Sequence, residues 1–181
     1  MIDESLLSTY EDFKNLQKKD PKYWKDRRWE YHKEAAKIIK NFPSQINKVL
    51  EIGPNNFKLV KESTSMGIWG NVDIIHNATI SPFPFKDKQF DLVVSFQVWE
   101  HLSEKDPRGT PDGPQTAFLE VQRISKAAIL SFPYKWKYYD ENDCHYMIDE
   151  EIIKNWTMNV EPDIVKKVGD RDIVYFWNFD K

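Results

Sequence analysis

The side chains best suited to chemistry in this chain are few and fall into two groups. His32, His101 and His145 can move protons near neutral pH, because an imidazole titrates there. His145 follows Cys144 and lies close to Asp140 and Asp143, a set with metal-ligand chemistry. That set lacks the paired spacing of a zinc site, so the sequence assigns no metal. One cysteine beside one histidine in sequence is not a dyad in space, so no cysteine nucleophile is assigned either. The second group is the run "VLEIGPNNFK", residues 49–58, in which an apolar strand carrying Glu51 runs into Gly53, Pro54, Asn55 and Asn56. Glycine lets a backbone approach a ligand closely, and asparagine tolerates the left-handed conformation that such a turn needs. By itself the run fits a ligand-holding loop or a strand that simply ends in Gly-Pro.

The elements that must position these residues follow from periodicity. A helix is expected over 21–41, with Asp20 as N-cap and Pro21 at the first helical position. Trp24, Tyr31, Ala35, Ile38 and Phe42 mark its apolar face, and Pro43 ends it. "KVLEI" (48–52), "NVDIIHNATI" (71–80), "FDLVVSF" (90–96) and "AAILSF" (127–132) read as strands. The third of these is nearly continuous in apolar residues, as a parallel strand covered on both faces should be. Residues 104–114 are dense in turn formers and read as an exposed loop. Residues 115–125 and 149–156 read as helices, and the tail as an antiparallel hairpin turning at Gly169-Asp170. Together they predict an α/β sandwich around a mostly parallel sheet, with ligands bound beyond the carboxyl ends of the strands. The turns after Ile52, Phe96 and Phe132 are therefore the places to look.

Composition narrows the class. A chain of 181 residues suits one domain, 1–181, and its 14% aromatic content, with seven Trp, offers ample area to bury. The single cysteine excludes an intramolecular disulfide and agrees with a reducing compartment, so a cytoplasmic location is expected. No run of about 18 apolar residues and no basic leader precedes an apolar core, so neither a membrane span nor a secretory signal is expected. A net charge of −3 gives no nucleic-acid footprint, and "KKDPKYWKDRR" reads as a solvated helix face.

"VLEIGP", then "FPFKDKQFDLVVSFQVWEHL", then a helix leading into "AAILSFPY", resembles the class I S-adenosylmethionine-dependent methyltransferases, in particular their small type-11-like members. The resemblance covers roughly residues 30–180. It implies a Rossmann-like three-layer sandwich with a mostly parallel sheet of seven strands, or six, and a C-terminal antiparallel hairpin. It implies S-adenosylmethionine as cofactor. Residues 1–42, mostly ahead of the matched region, are expected to form an N-terminal helical cap on the single domain. In that family the acidic-x-Gly stretch after the first strand contacts the cofactor, here Glu51, Gly53, Pro54 and Asn55. Phe57 stands where a further glycine is common.

The family also places an acid on the second strand for the ribose, and Asp73 stands at a suitable distance. Only nine residues separate it from Phe83, too few for a helix and a further strand. Residues 71–80 are therefore taken as the third strand and "SMGIWG" (65–70) as the second, without a carboxylate. On this reading Asn77 and Ala78 border the adenine, with Asn77 both donating and accepting, while Trp69 stacks near the adenosine. Phe96 and Gln97 line the pocket. His101 reads either as a histidine that orients its loop by a hydrogen bond or as a base or substrate contact near the methyl group. His145 is the other candidate base, with His32 joining if the N-terminal helix caps the site. Residues 104–114 and 133–146 are the expected acceptor walls. The implied activity is O- or N-methylation of a small molecule or sugar; the rival is a non-catalytic interaction protein of this fold.

Overall fold

The structure, a computed structural model, describes residues 2–138 and 140–180. Alternation along its central strands decides the layering, because successive side chains of a strand point to opposite faces. In β1 (Val49–Ile52), β4 (Leu92–Phe96) and β5 (Ala127–Pro133), nearly every residue is buried. Val49, Leu92, Val94, Ala127 and Ile129 pack against Tyr31, Ala35, Ile38 and Ile39 of a helix on one face. Leu50, Ile52, Val93, Ala128 and Leu130 pack on the other face against Phe118, Val121 and Ile153 of two later helices.

Two short strands, β2 (Thr64–Gly67) and β3 (Ile74–Ile75), and a final pair, β6 (Ile164–Val168) and β7 (Asp172–Asn178), complete the sheet. The order is β3-β2-β1-β4-β5-β7-β6; the first five strands run parallel, and β7 is antiparallel to both its neighbours. This is the expected Rossmann-like sandwich, with seven strands among the described residues.

The helices depart from expectation at the N-terminus. α1 (Tyr10–Lys19) was not legible, since Phe13 is its only buried residue and so it carries almost no apolar stripe. Thr9 and Asp12 form a reciprocal capping box at its start. Asp20 closes α1 instead of opening the next helix, and α2 runs over Asp26–Lys40, so Pro21 lies in the turn between them. α3 (Gly113–Ile124) begins at Gly113-Pro114, and α4 (Glu150–Trp156) is capped by Asp149. The 104–114 segment is not simply exposed: Asp106 is buried within it.

Parallel neighbours usually need a helix in the crossover. Here, among the described residues, the β1–β2, β2–β3 and β3–β4 connections contain none. Carboxylates hold them instead, Glu51 and Glu120 buried and Asp73 exposed. Glu51 accepts from the amides of Leu59 and Val60, at 3.0 and 2.7 Å, and from the Ser63 hydroxyl at 3.0 Å. Asp73 accepts from the Ser65 amide and hydroxyl, at 2.8 and 2.7 Å. Glu120 of α3 accepts from the Phe83 amide at 2.7 Å and the Ser81 hydroxyl at 2.9 Å. The Asp73 contacts also explain why the expected strand over 71–80 shrinks to two residues: the chain is tied across to β2 and then turns, with Asn77 accepting from Thr79.

Candidate active site

At the carboxyl ends of β1, β2, β3 and β4 a cleft encloses about 790 Å³, counting the part open to solvent. That is where an open parallel sheet binds ligands. Each strand contributes its following turn: Gly53, Pro54 and Asn55 after β1, Gly67 to Trp69 at the end of β2, His76, Asn77 and Ala78 after β3, and Gln97 and Val98 after β4. Tyr23 reaches in from the N-terminal segment, and His101, Leu102 and Arg108 close the far wall. Among the described residues, no carboxylate lines the cleft.

The turn after β1 is built for close backbone approach. Gly53 has φ +66°, and Asn55 and Asn56 have φ +43° and +68°, so the asparagines adopt the conformation in which they substitute for glycine. A Cβ on Gly53 would lie 2.6 Å from Cγ2 of Val98 on the opposite wall. Phe57, which departs from the family pattern, is buried between Phe13 and Trp24, each about 6 Å away ring to ring. Its side chain anchors the N-terminal helices to the turn.

Gly53, Pro54, Asn55, Trp69, Asn77, Ala78, Gln97 and His101 are thus gathered on the cleft. Four expected site residues are not. The Glu51 carboxylate is spent on the β1–β2 crossover, and its burial, opposed by two amides and a hydroxyl, pushes it up to about 7. Asp73 faces Ser65 and Lys58, whose hydrogen bonds lower it to about 2. Phe96 turns to the other side of the sheet, packed on Tyr31 and His32. His145 lies behind His101, their rings 4.9 Å apart and edge to face. His32 is also away from the cleft; it is fully buried, and that burial depresses it to about 3. The Asn77 carbonyl accepts from the Thr79 amide and hydroxyl at 3.0 and 3.1 Å, so only its amide remains to donate. Trp69 is 55% exposed rather than core, with the Arg108 guanidinium 4.4 Å above its ring.

Three residues at or beside the cleft were not singled out in the sequence. His76 lines the cleft, its Nε2 2.8 Å from the Ile80 carbonyl. Asp106 and Arg108 come from the 104–114 loop, which was expected as an acceptor wall but with neither residue singled out. The Oδ2 of Asp106 lies 2.8 Å from Nδ1 of His101, and Arg108 binds both carboxylate oxygens of Asp106. Hydrogen bonds from Arg108 hold Asp106 far below the usual carboxylate range. Burial lowers His101 below its ordinary value, against the pull of Asp106. The only available signal was the five-residue step from His101 to Asp106, which has meaning only once the 3-10 helix over Trp99–Leu102 folds the chain back.

The loop after β5 completes this wall from behind. Cys144 Sγ lies 3.5 Å from Nδ1 of His101 and 3.3 Å from Nδ1 of His145. Burial, reinforced by Glu100, Asp143 and Asp106, pushes the thiol up to about 12.

A model of the methyltransferase domain family matches residues 34–128, just over half of the chain. The chain belongs to that family: it is a class I S-adenosylmethionine-dependent methyltransferase of the type-11-like kind. Among solved structures, a protein of Pyrococcus horikoshii OT3 superposes with a TM-score of 0.59 at 15% identity, covering 91% of this chain and 98% of the other. A S-adenosylmethionine-dependent methyltransferase of Aquifex aeolicus gives 0.57 at 16% identity, covering 93% and 97%. The 1,6-didemethyltoxoflavin-N1-methyltransferase of Burkholderia thailandensis, solved with 1,6-didemethyltoxoflavin and S-adenosylhomocysteine bound, gives 0.61 at 12% identity, covering 93% and 85%. At these identities the likeness is one of fold. Among curated proteins, none matches at a significant level. Among the described residues, no helix is long and apolar enough to cross a membrane.

The cleft suits the family's cofactor. It carries no phosphate, so the loop needs no nest of amides, only a backbone that can be approached; Gly53, opposite Val98, offers that approach.

Proposed function

We propose that this chain methylates a hydroxyl of a small molecule or sugar, with His101 as general base and Asp106 as the residue that orients it. The observation that carries the reading is the Asp106–His101 pair, in which His101 lines the cleft and Asp106 lies behind it. When bound, S-adenosylmethionine supplies an electrophilic methyl group on a sulfonium. Gly53, Pro54 and Asn55 would pass along its amino-acid and ribose parts, Ala78 and the Asn77 amide along the adenine, and Trp69 and Gln97 would flank it. Tyr23, on the segment 1–42 that we read as a cap, would close the cleft from above.

The acceptor hydroxyl must lose its proton as its oxygen takes the methyl group. Asp106 accepts from Nδ1–H of His101, which leaves Nε2 with the lone pair. Burial keeps that imidazole neutral near pH 7, the form able to take the proton. Such a base is worth about 10²–10⁴ in rate, which favours O- over N-methylation for a site that holds one. A small acceptor fits a cleft walled closely by Trp69, Arg108 and Leu102, and the Burkholderia relative is a methyltransferase of one small molecule.

The test has two stages. Calorimetric titration with S-adenosylhomocysteine should show micromolar-range binding; no heat at millimolar ligand would end the cofactor assignment. A panel of small hydroxyl and amine acceptors, assayed with methyl-labelled cofactor, should then give labelled ethers from the hydroxyl compounds. Label appearing only on amines, or only on protein or nucleic acid, would overturn the acceptor class.

A further inference from the structure

We propose that His101, Cys144 and His145 form a site for one soft divalent cation, zinc by preference, with the buried Glu100 carboxylate as the outer partner of His145. The family fold does not require such a site, and a cation bound there competes with the base role proposed for His101.

The first observation is the arrangement of ligand atoms. One ligand atom from each of the three side chains lies within 4.8 Å of the other two. The Cys144 sulfur stands 3.5 and 3.3 Å from Nδ1 of His101 and His145. In a tetrahedral zinc site, Zn–S and Zn–N bonds of about 2.3 and 2.0–2.1 Å put sulfur and nitrogen about 3.6 Å apart. The separations already present are therefore those of two edges of the coordination polyhedron. A thiolate with two imidazoles is a soft set that selects zinc over magnesium or calcium.

The second observation is Glu100. It is fully buried, and neither carboxylate oxygen has a hydrogen-bond partner among the described residues. A buried carboxylate in that state costs free energy and calls for an explanation. Its Oε1 lies 3.9 Å from Nε2 of His145, the ring nitrogen opposite the one facing Cys144. Histidines that bind metal through one nitrogen characteristically donate the other N–H to a carboxylate. With Nδ1 on the metal, Nε2–H of His145 points toward an acceptor that otherwise has none.

The loop that carries Cys144 and His145 is held in shape for this. Asp143 accepts from the His145 amide at 2.8 Å, and the Met147 amide donates to the Trp136 carbonyl at 3.0 Å. The Trp136 ring stacks on His145 at 5.4 Å. Asp143 and Asp106 add negative charge nearby: Asp143 Oδ1 lies 2.7 Å from Nδ1 of His145, and Asp106 Oδ2 lies 2.8 Å from Nδ1 of His101. One positive group competes. Nη2 of Arg108 stands 2.9 Å from Nδ1 of His101, held there by its bonds to both carboxylate oxygens of Asp106, and a bound cation must displace it. Metal on Nδ1 leaves the proton of His101 on Nε2, so an occupied site and a basic His101 are alternative states of one imidazole.

Titrating the reduced full-length chain with Co²⁺ tests the site. One equivalent should bind and give a thiolate-to-cobalt charge-transfer band, which Zn²⁺ should abolish by displacement. Cys144→Ser should lose the band, and His145→Ala should weaken Co²⁺ binding at least tenfold. Absence of saturable one-equivalent binding, a wild-type complex without the band, or unchanged affinity in both variants would overturn the proposal. The wild-type spectrum alone decides if a variant does not fold.

Discussion

Nδ1 of His101 lies 2.8 Å from Oδ2 of Asp106, a buried carboxylate that Arg108 also clasps. In the proposed mechanism Asp106 accepts from Nδ1–H, which leaves Nε2 of His101 to act as the base. His101→Ala should therefore lower kcat on a hydroxyl acceptor by about 10²–10⁴. Asp106→Asn should lower kcat less, because the base survives while its tautomer is no longer enforced. Calorimetry with S-adenosylhomocysteine should show cofactor binding retained in both. Loss of cofactor affinity in step with activity would assign His101 to binding rather than to proton transfer.

Gly53 combines a positive φ with a Cβ-filling contact on Val98. A side chain here suffers left-handed strain of roughly 1–2 kcal/mol and also narrows the cleft. Gly53→Val should abolish cofactor binding while thermal unfolding stays cooperative. Binding that survives would show that the cofactor does not pass along this turn.

Much of this architecture was legible because burial leaves a periodic signature. β4 and β5 are apolar on both faces, and α3 repeats its apolar residues at helical spacing, so their existence and order could be read. Gly53, Asn55 and Gln97 could be placed on the site for the same reason: each follows a strand whose end was visible. What escaped was whatever rests on contacts between distant segments. α1 buries only Phe13, which leaves no stripe to detect, and Asp20 resembles an N-cap although it closes a helix. Glu51 and Asp73 looked like cofactor ligands because carboxylates at strand ends often are. Here the crossovers without helices claim them first. The meeting of His101 with Asp106, and with Cys144 and His145, depends on two loops folding onto one wall, which no local pattern encodes.

Glu51 is the clearest case of a carboxylate doing the structural task of a missing helix. Glu51→Gln turns an amide group toward the donors of Leu59, Val60 and Ser63, and should cost about 1–3 kcal/mol by chemical denaturation. The pH dependence has a definite sign. Burial raises this group from 4.5 to about 7 in the folded chain, so the native state holds the proton more tightly than the unfolded one. Its contribution is fully present below about pH 4.5 and is lost as pH rises through 7. The deficit of Glu51→Gln relative to wild type should narrow between pH 5 and pH 8. A deficit that widens over that range would mean that the three hydrogen bonds outweigh burial and that Glu51 is ionised throughout.

Arg27 and Asp172 join α2 to the start of β7, with Nη1 2.5 and 2.7 Å from the two carboxylate oxygens. The Asp172 side chain has no exposure, while that of Arg27 keeps 30%. Losing the arginine strands a buried charge, whereas losing both removes the need for a partner. Arg27→Ala should destabilise by about 3 kcal/mol, the low end of the range for a broken buried pair because Arg27 is partly solvated. Part of this loss is packing, since the guanidinium also lies 4.5 Å from the Trp136 ring. Adding Asp172→Asn should recover some of the stability, and urea denaturation of the two single variants and the double variant measures the coupling. If the double variant is simply the sum of the singles, the pair contributes no specific attachment and packing of α2 alone holds the helix to the sheet.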